Sequence, residues 1–361
     1  RTAQALLSLG RNKEALGFVQ TALSGRQKLA ALNRASAGVQ GEVAEAHAAL
    51  GSVYAALRQP DKARSEYQTA REMLEAIIRA VAAGEGDLAV SHGVFLSQGG
   101  RLWAFMGAYH AHEQKYHRVH TRAYLLDEAT GRWEPRGVVI EDGFWPMQEP
   151  QKMADGNWIM AGLHLSPFAK GENLPTVAIS KGDDFTKWDP VVIPAAPGVG
   201  TNLWGESTVI VDGKKIINLS RYGKQARALL STSEDFGRTW TPTKRSNLPM
   251  ATSKPYAGTL STGQRYLVCT TTADSGGRRT PLTIAVSKPG ESVLSQVFII
   301  RPSIFPQGPG DVADKAPLSY PYAIEHDGKL YVGYSNGGGR RGNHNSAELA
   351  VIPIEKLQAR N

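Results

Sequence analysis

The chain has 361 residues, 41% of them hydrophobic and 20% charged, with 38 glycines, 20 prolines and one cysteine. That length suits two domains and that hydrophobic share can bury a core, which excludes an intrinsically disordered chain. The formal charge of +8 comes from Lys and Arg residues scattered singly through polar stretches, which favours an anionic small substrate or plain solubility over nucleic acid. No apolar run approaches the roughly 18 residues that carry a helix across a bilayer. The lone Cys269 excludes an internal disulfide framework and a Cys-rich zinc site, and its apolar neighbours make it a buried strand residue. The sequence opens on Arg1 with no initiator Met and no signal-type segment, so it reads as a piece of a longer chain whose compartment is open.

Residues 1–83 carry long Ala, Leu, Glu, Lys and Arg stretches with a single proline, Pro60, and predict helices. From Gly84 onward Gly, Pro, Trp and Thr rise and short β-branched runs alternate with turn signals, which predicts strands. The boundary falls near 84–91, leaving a helical segment over 1–84 and an all-β domain over 91–355. In the helical segment Leu50, Gly51, Tyr54, Ala63, Tyr67 and Ala70 fall at the spacing of a tetratricopeptide repeat, and the segment resembles that family. Small Gly51 and Ala63 let two antiparallel helices approach, Leu50, Tyr54 and Tyr67 fill the groove, and Pro60-Asp61 opens the second helix. Ala15, Val19 and Ala22 repeat the second-helix pattern upstream, as the tail of an earlier repeat. The resemblance implies a docking module for a protein partner, with a helical spacer as the other reading.

The second part also repeats. Hairpins are predicted at Val94 to Leu102 around Gly99-Gly100, at Pro150 to Met160 around Asp155-Gly156, and at Val209 to Leu219 around Asp212-Gly213. Two more follow at Gly258 to Val268 around Gly263 and at Ala323 to Gly333 around Asp327-Gly328. The turn glycines recur at intervals of 56, 57, 50 and 65 residues. That spacing holds four short strands per repeat and argues for a β-propeller of about five visible blades rather than a sandwich.

Ser233-Glu-Asp235-Phe-Gly237-Arg-Thr239-Trp240 has the form of an Asp-box, S-x-D-x-G-x-T-W. Asp235 and Ser233 bond backbone amides in the turn, Gly237 takes positive φ, and Trp240 packs beneath. A degraded copy runs from Ser180 through Asp183, Asp184 and Phe185 to Trp188, and a faint one starts at Ser287. With the hairpins in register, residues 91–355 resemble the sialidase (neuraminidase) family of BNR-repeat propellers. The resemblance implies an exo-glycosidase that releases terminal sialic acids without a cofactor or metal. Because the substrate carboxylate sits on the anomeric carbon and repels a carboxylate nucleophile, such enzymes use a tyrosine activated by a glutamate, with arginines gripping the carboxylate.

Carried onto this sequence, Trp204-Gly-Glu206 followed by Asn218-Leu-Ser-Arg221 is similar to the segment that places the glutamate partner and an arginine of the clamp. Arg279-Thr-Pro-Leu282 is similar to the strand carrying a further arginine, although Pro281 stands where that motif has Asn, and Arg278 is its neighbour in the same role. Ser319-Tyr320-Pro-Tyr322 resembles the strand that presents the nucleophile, with Tyr320 favoured and Tyr322 as competitor. Glu149 occupies the place of Glu206 one blade earlier and is expected in the same pocket. Arg122, in the His-rich stretch from Tyr109 to Arg122, is available to an anion at the mouth; the irregular His spacing there argues against a metal. The family has six blades, with a first arginine and a catalytic aspartate early in the first, and neither is recognisable before Ser91. The alternative reading is therefore a non-catalytic glycan-binding or scaffold propeller with a partner-docking helical module.

Overall fold

The structure is a computed structural model, and it describes residues 6–7, 9–32, 37–82, 88–110, 118–141, 143–165, 172–270, 279–302, 317–337 and 346–359. By contacts the chain divides into two compact units, one of Arg1–Val90, Ser97–Trp103 and Tyr124–Arg136, the other of Ser91–Leu96, Ala104–Ala123 and Gly137–Asn361.

Among the described residues three long helices come first: α1 (Asn12–Leu32), α2 (Ala37–Ala56) and α3 (Pro60–Ala82). Proline begins α3 because the first helical position needs neither an N–H donor nor a freely rotating φ, and Asp61 beside it complements the positive end of the helix dipole. The turn from α2 reverses at Arg58, whose φ is +57°. Ala15, Val19 and Leu23 of α1 pack with Val43, Ala46, Leu50 and Val53 of α2 in one apolar cluster. Gly51 lets the Tyr67 ring of α3 lie on the α2 backbone: a Cβ there would meet the ring at 2.9 Å. Tyr67 also shares a 3.0 Å hydrogen bond with Ser52, and His47 meets Glu66 at 2.6 Å.

Among the described residues twenty strands follow, arranged as a five-bladed β-propeller. The first sheet runs β1 (Leu88–Gln98), β2 (Arg101–His110), β3 (His120–Asp127), β4 (Arg132–Ile140) in that order. The second runs β5 (Phe144–Pro146), β7 (Trp158–Leu165), β8 (Asn173–Lys181), β9 (Asp184–Val192), with the short β6 (Gln151–Lys152) also paired to β7. The third comprises β10 (Ser207–Asp212), β11 (Lys215–Ser220), β12 (Arg227–Ser233) and β13 (Lys244–Pro249), and the fourth β14 (Tyr256–Thr259), β15 (Arg265–Cys269), β16 (Leu282–Ser287) and β17 (Leu294–Arg301). The fifth holds three strands among the described residues, β18 (Leu318–His326), β19 (Lys329–Asn336) and β20 (Ser346–Pro353). All five predicted hairpins are present, and their turns sit at left-handed φ, as at Gly213 (+59°) and Gly328 (+68°).

The core lies between neighbouring sheets. Met153, Ile159 and Ile179 of the second sheet meet Val209 and Ile216 of the third. Ile210 and Leu219 pass the contact on to Ala257, Leu267 and Cys269 of the fourth, and Ile284 and Val286 to Leu330 and Val332 of the fifth. Cys269 is buried as its sequence context predicts, and burial pushes its thiol up to about 12. Where β10 and β14 run side by side, the fully buried Gln148 bridges them: its amide donates to the carbonyls of Val209 (3.1 Å) and Ala257 (2.6 Å) and accepts from the Val209 N–H (2.6 Å). An amide with both its donors and its oxygen engaged costs little to bury and fixes the neighbours rigidly.

The Ser233–Trp240 segment closes on itself. Ser233 Oγ donates to Asp235 Oδ1 (2.7 Å) and accepts from the Gly237 N–H (2.8 Å). Asp235 accepts from the Thr239 N–H (2.9 Å) and hydroxyl (2.7 Å), and the Trp240 indole donates to the Gly237 carbonyl (2.8 Å). These bonds hold the Asp235 carboxyl down at about 2. In the degraded copy Ser180 instead bridges the Gly182 carbonyl and the Trp158 N–H, and Trp188 donates to the Phe185 carbonyl.

Candidate functional site

The hairpin β10–β11 builds the first half of the site. Its strands pair from Asp212↔Lys215 back to Ser207↔Ser220, so the next residues outward, Glu206 and Arg221, emerge opposite each other. The Arg221 N–H continues the ladder to the Glu206 carbonyl at 3.0 Å, and the Arg221 guanidinium donates to Glu206 Oε2 at 2.7 Å. Both side chains are largely buried, the carboxylate 6% and the guanidinium 15% exposed, a depth at which an ion pair is far less screened than at a surface.

The second half comes from β18. Its pairing to β19 runs regularly from His326 to Tyr322, then slips, resuming at Ser319↔Ser335. Tyr320 and Pro321 therefore face one residue, Tyr334, and form a bulge, with Tyr320 at φ +55°. Pro321 suits the bulge because it brings no N–H that would be left unpaired. The bulge re-aims the Tyr320 side chain so that its hydroxyl donates to Glu206 Oε1 at 2.9 Å. Arg279 lies over the same ring, 5.7 Å from its centroid, and donates to the Thr252 carbonyl at 3.1 Å. Arg279 is tied to this strand as well, its carbonyl accepting the Leu318 N–H at 2.7 Å.

Glu206, Arg221, Arg279 and Tyr320 thus line one cavity of about 490 Å³, within the range of small-molecule sites. Tyr322 lines it too. Glu149 is not among the lining: it accepts the Tyr256 hydroxyl, and burial raises its carboxyl above the usual range. Glu149 follows the buried Gln148 bridge, whose rigid hold turns the next side chain toward Tyr256. Arg122 is half-buried on β3 and is absent from the lining among the described residues. Arg278 and most of the histidine stretch lie outside the described residues. No cluster of potential metal ligands occurs among the described residues.

Two residues that the sequence reading passed over stand in the cavity wall, and a third lies behind it. His92 of β1 stacks on Trp145 (centroids 5.2 Å) and lies 6.2 Å from the Tyr320 ring. The ring is open to cavity water, yet the surrounding walls and the Lys254 charge push its pKa down to about 4, which leaves it neutral at pH 7. Trp204, 39% exposed, stands on the wall at φ +48° with its N–H bonded to the Asn173 side chain. Gly205 is required beside it, because a Cβ would lie 2.5 Å from the Pro175 ring. Lys254, behind the wall, is fully buried. Neither a lone His in a strand nor a lone Lys before one carries a sequence signal, since their surroundings come from distant segments.

Charges decide the chemistry. Burial, then the Glu206 charge and hydrogen bond, raise the Tyr320 phenol above its ordinary range, partly opposed by Arg221 and Arg279. The phenol is therefore neutral at rest, with a carboxylate in place to take its proton and two guanidiniums beside it.

Residues 79–332 match the BNR repeat-like domain family. The chain belongs to that BNR repeat-like family. Among solved structures, it is similar in fold to a protein of unknown function from Dyadobacter fermentans, with 12% identity, 73% of this chain and 76% of the other covered, and a TM-score of 0.55. A Hadza microbial sialidase is 15% identical over 75% of this chain and 54% of its own, with a TM-score of 0.54. The Trypanosoma rangeli sialidase is 15% identical over 74% of this chain and 46% of its own, with a TM-score of 0.50. The chain spans about half the length of these two sialidases. At such identities the likeness is one of fold alone, the propeller fold. A comparison with curated protein sequences gives no match.

Proposed function

We propose that the protein is a retaining exo-glycosidase of sialidase type that releases a terminal acidic sugar, a sialic acid, from a glycoconjugate. The observation that carries this reading is the chain of contacts from Arg221 through Glu206 to the Tyr320 hydroxyl, 2.7 and 2.9 Å, with Arg279 over the phenol. A neutral phenol approaches an anomeric carbon bearing a carboxylate without repulsion, and the two guanidiniums offer that carboxylate planar, paired donors. As the Tyr320 oxygen bonds the anomeric carbon, its proton passes to Glu206 and the glycosidic C–O bond breaks, its electron pair leaving on the aglycone oxygen. A water oxygen then bonds the anomeric carbon as the tyrosyl C–O bond breaks; the water's proton passes through solvent to the departed aglycone oxygen, and the proton held by Glu206 returns to Tyr320. Neutral His92 and the indoles of Trp145 and Trp204 offer apolar faces for the sugar ring.

A second reading, a glycan-binding propeller without turnover, is favoured by one observation: among the described residues lining the cavity, Glu206 is the only carboxyl, and no acid stands ready to protonate a leaving group. General acid catalysis is worth about 10²- to 10⁴-fold. The helical segment, as a docking module for a protein partner, belongs equally to either reading. Release of umbelliferone from its sialoside separates them: turnover lost in Tyr320→Phe supports the enzyme, whereas saturable sialoside binding with no release in the wild type replaces it with the binding protein.

A further inference from the structure

Lys254 is the one charged side chain among the described residues that is both fully buried and outside the ion pairs. It is 1% exposed, and no carboxylate oxygen of the described residues lies within 4.0 Å of its nitrogen. Burying an ammonium without a direct ion pair is costly, so its place calls for a physical reason. Its nitrogen donates to the Pro321 carbonyl at 2.8 Å and sits 3.6 Å from the centroid of the Tyr322 ring and 5.2 Å from that of Tyr256. The acceptor is the informative part. Pro321 is the second residue of the β18 bulge, directly after Tyr320, and its carbonyl has left the β18–β19 ladder. Without a partner that carbonyl would favour water or a return to regular pairing, and regular pairing would turn Tyr320 to the other face of the sheet.

We propose that Lys254 is a positioning residue for Tyr320: clamped between two phenol rings, it holds the Pro321 carbonyl and so fixes the bulge that sets the Tyr320 hydroxyl on Glu206. The inference rests on the reading of Tyr320 as nucleophile but concerns its placement, which is measurable without turnover. The cation also serves the charge balance. Burial pushes Lys254 down to about 7, while Glu206 and then Glu149 favour its charged form. The groups facing Lys254 are thus Glu206, Glu149, His92, Tyr256 and Tyr322, and those facing the Tyr320 phenol are Glu206, Arg221, Arg279, Tyr322 and His92.

The test uses the full chain carrying ¹³Cζ-labelled tyrosine, with the Tyr320 resonance assigned by Tyr320→Phe, and compares the wild type with Lys254→Met and Lys254→Gln. In the wild type the Tyr320 phenol titrates above the ordinary range because it is buried against Glu206. In folded Lys254→Met the bulge relaxes, the phenol leaves Glu206, and its titration moves down toward the free value; Lys254→Gln, which keeps a donor for the carbonyl, moves it less. A purely electrostatic role gives no downward move, since Lys254, pushed down to about 7, has already lost its charge at the pH where the phenol titrates. An unchanged or raised Tyr320 titration in the folded variant overturns the proposal, and if Lys254→Met does not fold, the same outcome in Lys254→Gln does so. With active wild type, displacement of the nucleophile lowers kcat by about 100-fold with KM within about threefold; equal kcat overturns the proposal. A wild type that shows the coupled phenol but no turnover leaves the Lys254 inference standing and removes the enzymatic reading.

Discussion

Two irregular segments of the propeller, the Ser233–Trp240 turn and the Ser319–Tyr322 bulge, depart from plain strand for opposite ends. In the turn the locking bonds are short-range: Ser233, Asp235, Gly237, Thr239 and Trp240 satisfy one another within eight residues, while Arg238 tethers the loop outward to Asp155 and the Phe236 N–H to the Lys214 carbonyl. In the bulge the partners are remote: Tyr320 reaches Glu206 across 114 residues of sequence and Pro321 receives Lys254 across 67. Left-handed backbone occurs in both, at Phe236 (+58°) and Gly237 (+81°) of the turn and at Tyr320 (+55°) of the bulge, and outside glycine that conformation is costly. In the turn the cost is held by local bonds that lock the loop, whereas in the bulge it is held by remote partners and aims a side chain.

Substitutions sharpen that contrast. Tyr320→Phe is expected to lower turnover of an acidic aryl glycoside by at least about 10³-fold while the thermal midpoint moves only slightly, because one hydrogen bond of about 1 kcal/mol is lost. Steady-state kinetics beside calorimetry read both; a large fall in midpoint with retained turnover would make the bulge a structural feature like the turn. Arg221→Ala is expected to cost about 3 kcal/mol of stability by leaving Glu206 buried and unpaired, and to weaken binding of the acidic sugar as well. Adding Glu206→Gln should restore much of the stability in denaturant titrations but none of the binding, and a double variant that binds normally would remove Arg221 from the clamp.

Smaller effects belong to the turn. Gly237→Ala forces a side chain into left-handed backbone and sets its Cβ 2.8 Å from Ile159, so a loss of about 1 to 2 kcal/mol with unchanged kcat/KM is expected. Asp235→Asn should cost about 1 kcal/mol at neutral pH. Its pH dependence has a fixed sign. The folded carboxyl sits at about 2, below its ordinary 3.8, so the stabilisation is complete above the ordinary value and fades as pH falls through about 2. Wild type and variant should converge in acid unfolding, and a gap that persists there would assign the effect to packing.

The same contrast explains what the sequence disclosed. Glycine turns, the S-x-D-x-G-x-T-W lock and the α2–α3 contact at Gly51 and Tyr67 are written in neighbouring residues, and they led to the five blades and the helical hairpin. Glu206 and Arg221 were legible as a pair because the symmetric β10–β11 hairpin returns one to the other. Tyr320 was separable from Tyr322 only in part, since the bulge that distinguishes them shows in sequence as no more than Pro321. Glu149, expected in the same pocket, is not among the residues lining it; its carboxyl accepts the Tyr256 hydroxyl, beside the bridge its neighbour Gln148 makes to β10 and β14. Lys254 and His92 were not legible at all: burial among tyrosines and carboxylates from three other sheets gives them their character.

The direct test of the Tyr320–Glu206 pair is covalent trapping with a 2,3-difluorinated sialic acid, whose fluoride departs without a proton and so needs no acid in the cavity. Peptide mass mapping is expected to find one sugar on the peptide that carries Tyr320, formed slowly in Glu206→Gln and absent in Tyr320→Phe. Saturable binding of the reagent with no mass increment, or an increment on any other residue, would contradict the assignment of Tyr320 as nucleophile.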